Sequence, residues 1–231
     1  MDQSEFDKFA DEYWSLHRIN VAISGELPDY FGDYKIRDLS RTLRARGDNA
    51  APAVLDFGAG VGTSIPHFRK HIPGARLTCI DVSTKCLEVG RSRFAGQAEF
   101  VQCNGDRIPF PESSFDIAFA ACVFHHIDAG EHVRLLSEFR RVLKPGGFAF
   151  IFEHNPLNPL TVRTVNACPF DENALLIRAG TLRERMSAAG LRDVRISYRV
   201  FFPHALRALR FLESRMTWLP LGAQYHAIGL R

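Results

Sequence analysis

Three glycines stand at alternate positions in Asp56-Phe57-Gly58-Ala59-Gly60-Val61-Gly62, straight after an apolar run that begins at Ala53. Glycine adopts backbone angles that side chains forbid, so such a turn can bend tightly and let a bound molecule touch the main chain. Asp81 closes the next apolar run, Arg76-Leu77-Thr78-Cys79-Ile80. That is where an open α/β sheet offers a carboxylate to ribose hydroxyls. The turn departs from the dinucleotide pattern GxGxxG, because its third glycine comes one residue early and Thr63 follows. It suits a nucleoside ligand without a pyrophosphate. A second group surrounds His125 and His126, just past the apolar run Phe115 to Cys122, with Glu153 and His154 after the run Phe148 to Phe152. Imidazole titrates near neutrality and is the usual proton acceptor for a hydroxyl, and a neighbouring carboxylate can orient it. His126 and His125 are therefore candidate bases, with Glu153 as their partner.

The elements that must position these groups alternate regularly. From Ala51 the pattern is strand, turn, helix, repeated. Strands are expected at 53–57, 76–80, 98–103, 115–122 and 148–152, with helices at 64–71, from Ser83 as N-cap to about Phe94, and over Val133 to Leu143. The run at 115–122 is almost continuously apolar, as in a strand covered on both faces. Lys144-Pro145-Gly146-Gly147 stops the third of these helices, and Asp116 is expected to brace a turn. Strands alternating with helices of this length imply right-handed βαβ units and a parallel sheet.

The flanks are less regular. Phe6, Phe9, Tyr13 and Leu16 form a helical stripe within 4–22, Gly25, Pro28 and Gly32 then break the chain, and a second helix is expected from Lys35 to Arg46. Asn155-Pro156-Leu157-Asn158-Pro159 cannot lie inside a helix, because each proline pushes its predecessor toward an extended conformation. A helix over Thr181 to Ala189 precedes strands at 191–202 and 224–230, which are expected to pair antiparallel at the sheet edge. Between them, Leu206, Leu209, Phe211, Leu212 and Trp218 interleave with Arg207, Arg210 and Arg215. This basic, apolar helical stretch can roof a cavity or rest on a membrane surface.

Composition narrows the function classes. The 231 residues suit one domain and carry a formal charge of only +3, evenly spread, so no nucleic-acid footprint is expected. The acidic N-terminus resembles neither a signal nor a transit peptide, and no apolar run reaches membrane-spanning length, so a cytoplasmic protein is expected. Cys79, Cys86, Cys103, Cys122 and Cys168 show no zinc spacing and are expected to be reduced, small packing residues. No metal site is expected, since the acids near the crevice are too scattered for the magnesium pattern of catechol-methylating enzymes. The oligomeric state is not specified.

Four blocks, VLDFGAGVG at 54–62, CIDVS at 79–83, GDRIPFPESSFDIAFAACVFHHI at 105–127 and LKPGG at 143–147, occur in one order. In them the stretch from Ala53 to Phe152 resembles the core of class I S-adenosylmethionine-dependent methyltransferases. The resemblance implies a doubly wound α/β fold: a mostly parallel seven-stranded sheet with an antiparallel edge strand and an N-terminal helical lid. One domain over 1–231 would then comprise a lid at 1–50, a cofactor-binding core at 51–152 and a substrate side at 153–231. It also implies S-adenosylmethionine as cofactor, held by Asp56, Gly58, Ala59, Gly60, Asp81, Val82, Asp106, Arg107 and Ala121. Asp81 would take the ribose hydroxyls, Asp106 and Arg107 would edge the adenine, and the strand end at Ala121-Cys122 would lie beside the methionine part. Tyr13 of the lid would touch that same end. Some sugar O-methyltransferases of this group carry a His-His pair here and an acid after the next strand. The expected activity is therefore methylation of a small-molecule acceptor, at a sugar or natural-product hydroxyl. The alternatives are quinone-type C-methylation, a lipid-linked acceptor, or a non-catalytic binding subunit.

Overall fold

A computed structural model describes residues 21–47 and 51–231. Seven strands form one sheet: β1 (Ala53–Phe57), β2 (Arg76–Asp81), β3 (Glu99–Gln102), β4 (Phe115–Ala121), β5 (Leu143–His154), β6 (Arg192–Arg199) and β7 (Gln224–Leu230). Their order is β3-β2-β1-β4-β5-β7-β6. The first five run parallel, and β7 lies antiparallel between β5 and β6. Among the described residues, six α-helices flank the sheet: α1 (Pro28–Arg46), α2 (Ile65–His71), α3 (Thr84–Arg93), α4 (His132–Val142), α5 (Pro159–Asn166) and α6 (Ala179–Ala188).

Alternation along the strands divides the core in two, because successive side chains point to opposite faces. Leu55, Phe57, Ala118, Ala120, Ala149 and Ile151 face α4 and α6, where Leu135, Phe139, Leu182 and Met186 complete one layer. Val54, Ile117, Phe119, Phe148, Phe150 and Phe152 face α1 and α2, where Ile36, Leu39, Ile65 and Phe68 complete the other. Burial on both faces explains the near-continuous apolar reading of β4.

Two flanking expectations are corrected. Helix α1 begins at Pro28 rather than Lys35, with the proline at its first turn, where its missing N–H costs nothing. Gly32 lies inside that helix, because a Cβ there would come within 2.6 Å of Nε2 of His67 on α2. It permits the close approach of two helices rather than breaking one. Residues His204–Arg215 form 3-10 turns with a kink at Leu206, not a continuous amphipathic α-helix. Glu213 pins them from inside, accepting from the N–H groups of Phe201 (3.0 Å) and Phe202 (3.2 Å) and from the Tyr34 hydroxyl (3.0 Å). Asn158 caps α5 by accepting from the N–H groups of Leu160 and Thr161, and Pro159 opens that helix. The lid stripe with Tyr13 lies outside the described residues. Among those described, no helix is long and apolar enough to cross a membrane.

Candidate functional site

The strand order reverses between β1 and β4, and the carboxyl ends there border a cavity of about 470 Å³. Such a switch point is where doubly wound sheets bind ligands. Gly58 and Ala59 leave β1 with their N–H groups donating to the carbonyl of Ile80, at 2.8 and 3.1 Å. The Gly60 N–H donates to Asp81 Oδ2 at 2.8 Å, and the Ser83 N–H donates to Asp81 Oδ1 at 2.9 Å. The carboxylate of β2 thus braces the glycine turn while its residue lines the cavity. The glycines are not equivalent. A Cβ on Gly58 would meet Val123 Cγ2 at 2.6 Å, whereas one on Gly60 would meet nothing within 4 Å. Gly58 serves packing, and Gly60 keeps space clear. Asp56 is buried beneath the turn and accepts the Ser64 hydroxyl. Burial, reinforced by the Asp81 charge, pushes its carboxyl up to about 6.

A second polar group faces the same cavity. His125 and His126 sit in a 3-10 turn that follows β4. Glu153, fully buried in β5, accepts from the N–H groups of Val123 (3.1 Å) and Phe124 (2.8 Å) through Oε1. Its Oε2 lies 2.6 Å from His125 Nδ1. On the far side, Asp171 Oδ1 lies 3.3 Å from Nε2 of both His125 and His126. Burial disfavours an imidazolium at His125, but the Glu153 and Asp171 carboxylates outweigh it and raise its pKa to about 10. Against their own burial, the imidazoles lower the pKa of Glu153 and hold Asp171 well below the usual carboxylate range. Both ring nitrogens of His125 face carboxylates, which leaves neither free to accept a proton from an acceptor.

Residues 54–147 match the family model described as a methyltransferase domain. A ubiquinone/menaquinone biosynthesis C-methyltransferase UbiE from Pseudomonas putida is 33% identical over 139 residues, 56% of this chain and 52% of that protein. The protein of the same name from Hahella chejuensis is 29% identical over 142 residues, 58% of this chain and 56% of that protein. The chain thus spans about half the length of the curated relatives it matches. A Thermotoga maritima SAM-dependent methyltransferase, described as a possible histamine N-methyltransferase, shares the fold. It has a TM-score of 0.68 at 17% identity, over 99% of this chain and 98% of that one. Haemonchus contortus phosphoethanolamine N-methyltransferase 2, solved with S-adenosyl-L-methionine, matches with a TM-score of 0.59 at 18% identity, over 84% of this chain and 52% of that one. Residues 54–147 thus match a methyltransferase domain, on the fold shared by solved S-adenosylmethionine-dependent methyltransferases.

In the methyltransferase domain, Asp56, Gly58, Ala59, Gly60, Asp81 and Ala121 all line the cavity with His125 and His126. Val82, Asp106 and Arg107 do not. The Val82 side chain is buried, and Asp106 and Arg107 are exposed in the loop after β3. The Arg134 guanidinium holds that loop through the Gly105 and Asp106 carbonyls. Glu153 lies behind the wall, bonded to the wall residues His125 and Val123. Tyr13 is outside the described residues.

Two wall residues, Asp171 and Lys35, were not singled out in the sequence as site groups. Asp171 comes from a turn after α5, with no motif to mark it. Lys35 of α1 donates from Nζ to the Cys122 sulfur at 3.3 Å. Cys122 is no inert packing residue: it faces the cavity with a φ of 59°. Burial raises its thiol pKa, but His154 and Lys35 more than offset this and bring it down to about 7. Its place just past the carboxyl end of β4 is what the resemblance used to set it beside the cofactor.

Proposed function

We propose that the protein transfers the methyl group of S-adenosylmethionine to the hydroxyl of a small-molecule acceptor. In this reading Gly60 and Asp81 receive the ribose, Gly58, Ala59 and Ala121 border the rest of the cofactor, and Asp56 faces its amino-acid end. The observation that carries the acceptor assignment is the Glu153–His125–Asp171–His126 cluster, which opens onto the same cavity as the glycine turn. Methyl transfer from a sulfonium is an in-line displacement, so holding the two reactants in register supplies much of the acceleration. The cluster adds the means to activate the acceptor oxygen within reach of the transferring carbon. The outer wall, with Phe31, Leu160, Val165, Val200, Phe201 and Pro203, favours an acceptor that is apolar beyond its reacting hydroxyl.

A second reading, C-methylation of a quinol, is favoured by the relatives named as C-methyltransferases. It uses the same cluster, because removing a phenolic proton also drives attack from the ring carbon. A screen of sugars, phenols, quinols and lipid-linked acceptors, read by release of S-adenosylhomocysteine, tests the proposal. Product NMR then separates an O-methyl from a C-methyl group. Turnover of none of these classes by a protein that binds the cofactor would refute it.

A further inference from the structure

We propose that His125 Nε2, His126 Nε2 and a carboxylate oxygen of Asp171 are the ligands of one divalent transition-metal ion at the acceptor end of the cavity. The three donor atoms lie within 4.8 Å of one another, and all three residues line the cavity. Two features distinguish this group from an ordinary ion pair.

The first is distance. Charge-assisted N–H···O contacts settle at about 2.7–2.9 Å. The Glu153–His125 contact, at 2.6 Å, is as tight as such bonds come. Both contacts to Asp171 Oδ1 are instead 3.3 Å. Ligands at about 2.0–2.2 Å from a metal stand about 3.0–3.5 Å from one another, depending on whether they are octahedral or tetrahedral neighbours. The Asp171 distances are long for charge-assisted hydrogen bonds and fall within the spacing of neighbouring ligands on one ion.

The second is the support behind His125. Glu153 accepts two backbone N–H groups and faces His125 Nδ1, where it would accept the ring N–H. A metal displacing the Nε2 proton would then meet the lone pair on the side of Asp171. A carboxylate behind a ligating imidazole recurs in protein metal sites, where it orients the ring and raises its basicity. Asp171 is tied in turn by local bonds: its N–H donates to Cys168 and its carbonyl accepts from Ala174, while the Leu175 N–H reaches the His125 carbonyl.

Two imidazoles and one carboxylate select a first-row transition ion such as Zn²⁺, Co²⁺ or Fe²⁺ over Mg²⁺ or Ca²⁺, which prefer oxygen. With three protein ligands, open coordination positions face the cavity. An acceptor oxygen bound there would have its hydroxyl pKa lowered, its proton passing to solvent. That use rests on the methyl-transfer reading; the metal site itself does not.

The experiment uses the untagged full chain, stripped with a chelator and titrated with Zn²⁺ by calorimetry and with Co²⁺ by visible absorption. S-adenosylhomocysteine binding and a thermal melt run in parallel to report folding. The expected result is one equivalent of metal in the wild type and none in His126→Ala or Asp171→Asn. Glu153→Gln should keep the stoichiometry with affinity lowered about 10- to 100-fold. Folded wild-type protein that takes up no saturable metal overturns the proposal, as does uptake unchanged in both ligand variants. Neither outcome depends on cofactor binding, so failure of the metal site and failure of the methyl-transfer reading are read separately.

Discussion

Asp81→Asn tests the cofactor assignment most directly. Each carboxylate oxygen accepts one backbone N–H, from Gly60 at 2.8 Å and from Ser83 at 2.9 Å. Asp81→Ala would remove both bonds, and hydrogen bonds to a charged group are worth about 1.5–3 kcal/mol each. An alanine variant would therefore loosen the turn as well as lose the ligand, and would not isolate binding. Asparagine keeps one acceptor for the turn and removes the charge. The melting temperature should fall modestly, because one N–H then faces the amide nitrogen. If the carboxylate receives the ribose hydroxyls, losing one charge-assisted bond costs about 1.5–3 kcal/mol, or about 10- to 150-fold in Kd. Calorimetry with S-adenosylhomocysteine on folded protein reads this number. An analogue lacking the ribose hydroxyls completes a double-mutant cycle, in which the penalty should vanish. A variant with a lowered melting temperature and unchanged affinity would show that Asp81 only braces the turn, and the ribose assignment would fall.

Gly60→Ala should cost about 1–2 kcal/mol of stability, because its φ of 52° is left-handed, and should weaken cofactor binding as its Cβ enters open cavity. Gly58→Ala should destabilise more, by clashing with Val123, and normal binding by folded Gly60→Ala would make that turn mere packing. Asp56, held up to about 6 from 3.8, ties cofactor affinity to pH. A cationic ligand end favours its carboxylate, so titrations should show affinity rising with pH and levelling above about 6, with the slope absent in Asp56→Asn. Its contribution to the stability of the free protein runs the other way: present below 3.8, and lost as pH rises through about 6. Asp38 joins α1 to the sheet, with Arg199 Nε at 2.7 Å and His226 Nδ1 at 2.8 Å. Against burial, these partners lower its pKa from 3.8 to about 2, so its contribution is present above 3.8 and lost as pH falls through about 2. Asp38→Asn should cost about 3–5 kcal/mol at neutral pH by leaving buried charge uncompensated. An unchanged melt would refute that role.

The parts of the molecule legible in the sequence are those that local rules govern. Strand and helix periods fix β1 to β5 and α2 to α4, since each segment buries the face its pattern marks. The glycine turn and Asp81 were legible for the same reason: both lie at strand ends, and strand order decides which ends meet. Gly58 and Gly60 look alike in sequence and both have positive φ, yet one faces Val123 and the other open space. Only the packing of the turn after β4 separates them. Gly32 was misread because a close helix crossing and a helix break call for the same residue. Asp171 is the sharper case. It is 46 residues from His125, in a turn whose course depends on how α5 leaves β5, and no period reports that path. His125 read as a base because its second carboxylate was out of sight. Glu153 alone, behind Nδ1, would leave Nε2 free to accept a proton. Adding Asp171 places negative charge at both ends of one buried imidazole and against the ring of His126. A buried imidazole between a buried and a half-buried carboxylate calls for a cation at its centre, as a proton on the ring or as a metal ion between the rings. The first silences His125 as a base and the second makes both histidines ligands, so either way the four side chains should be tested as one unit.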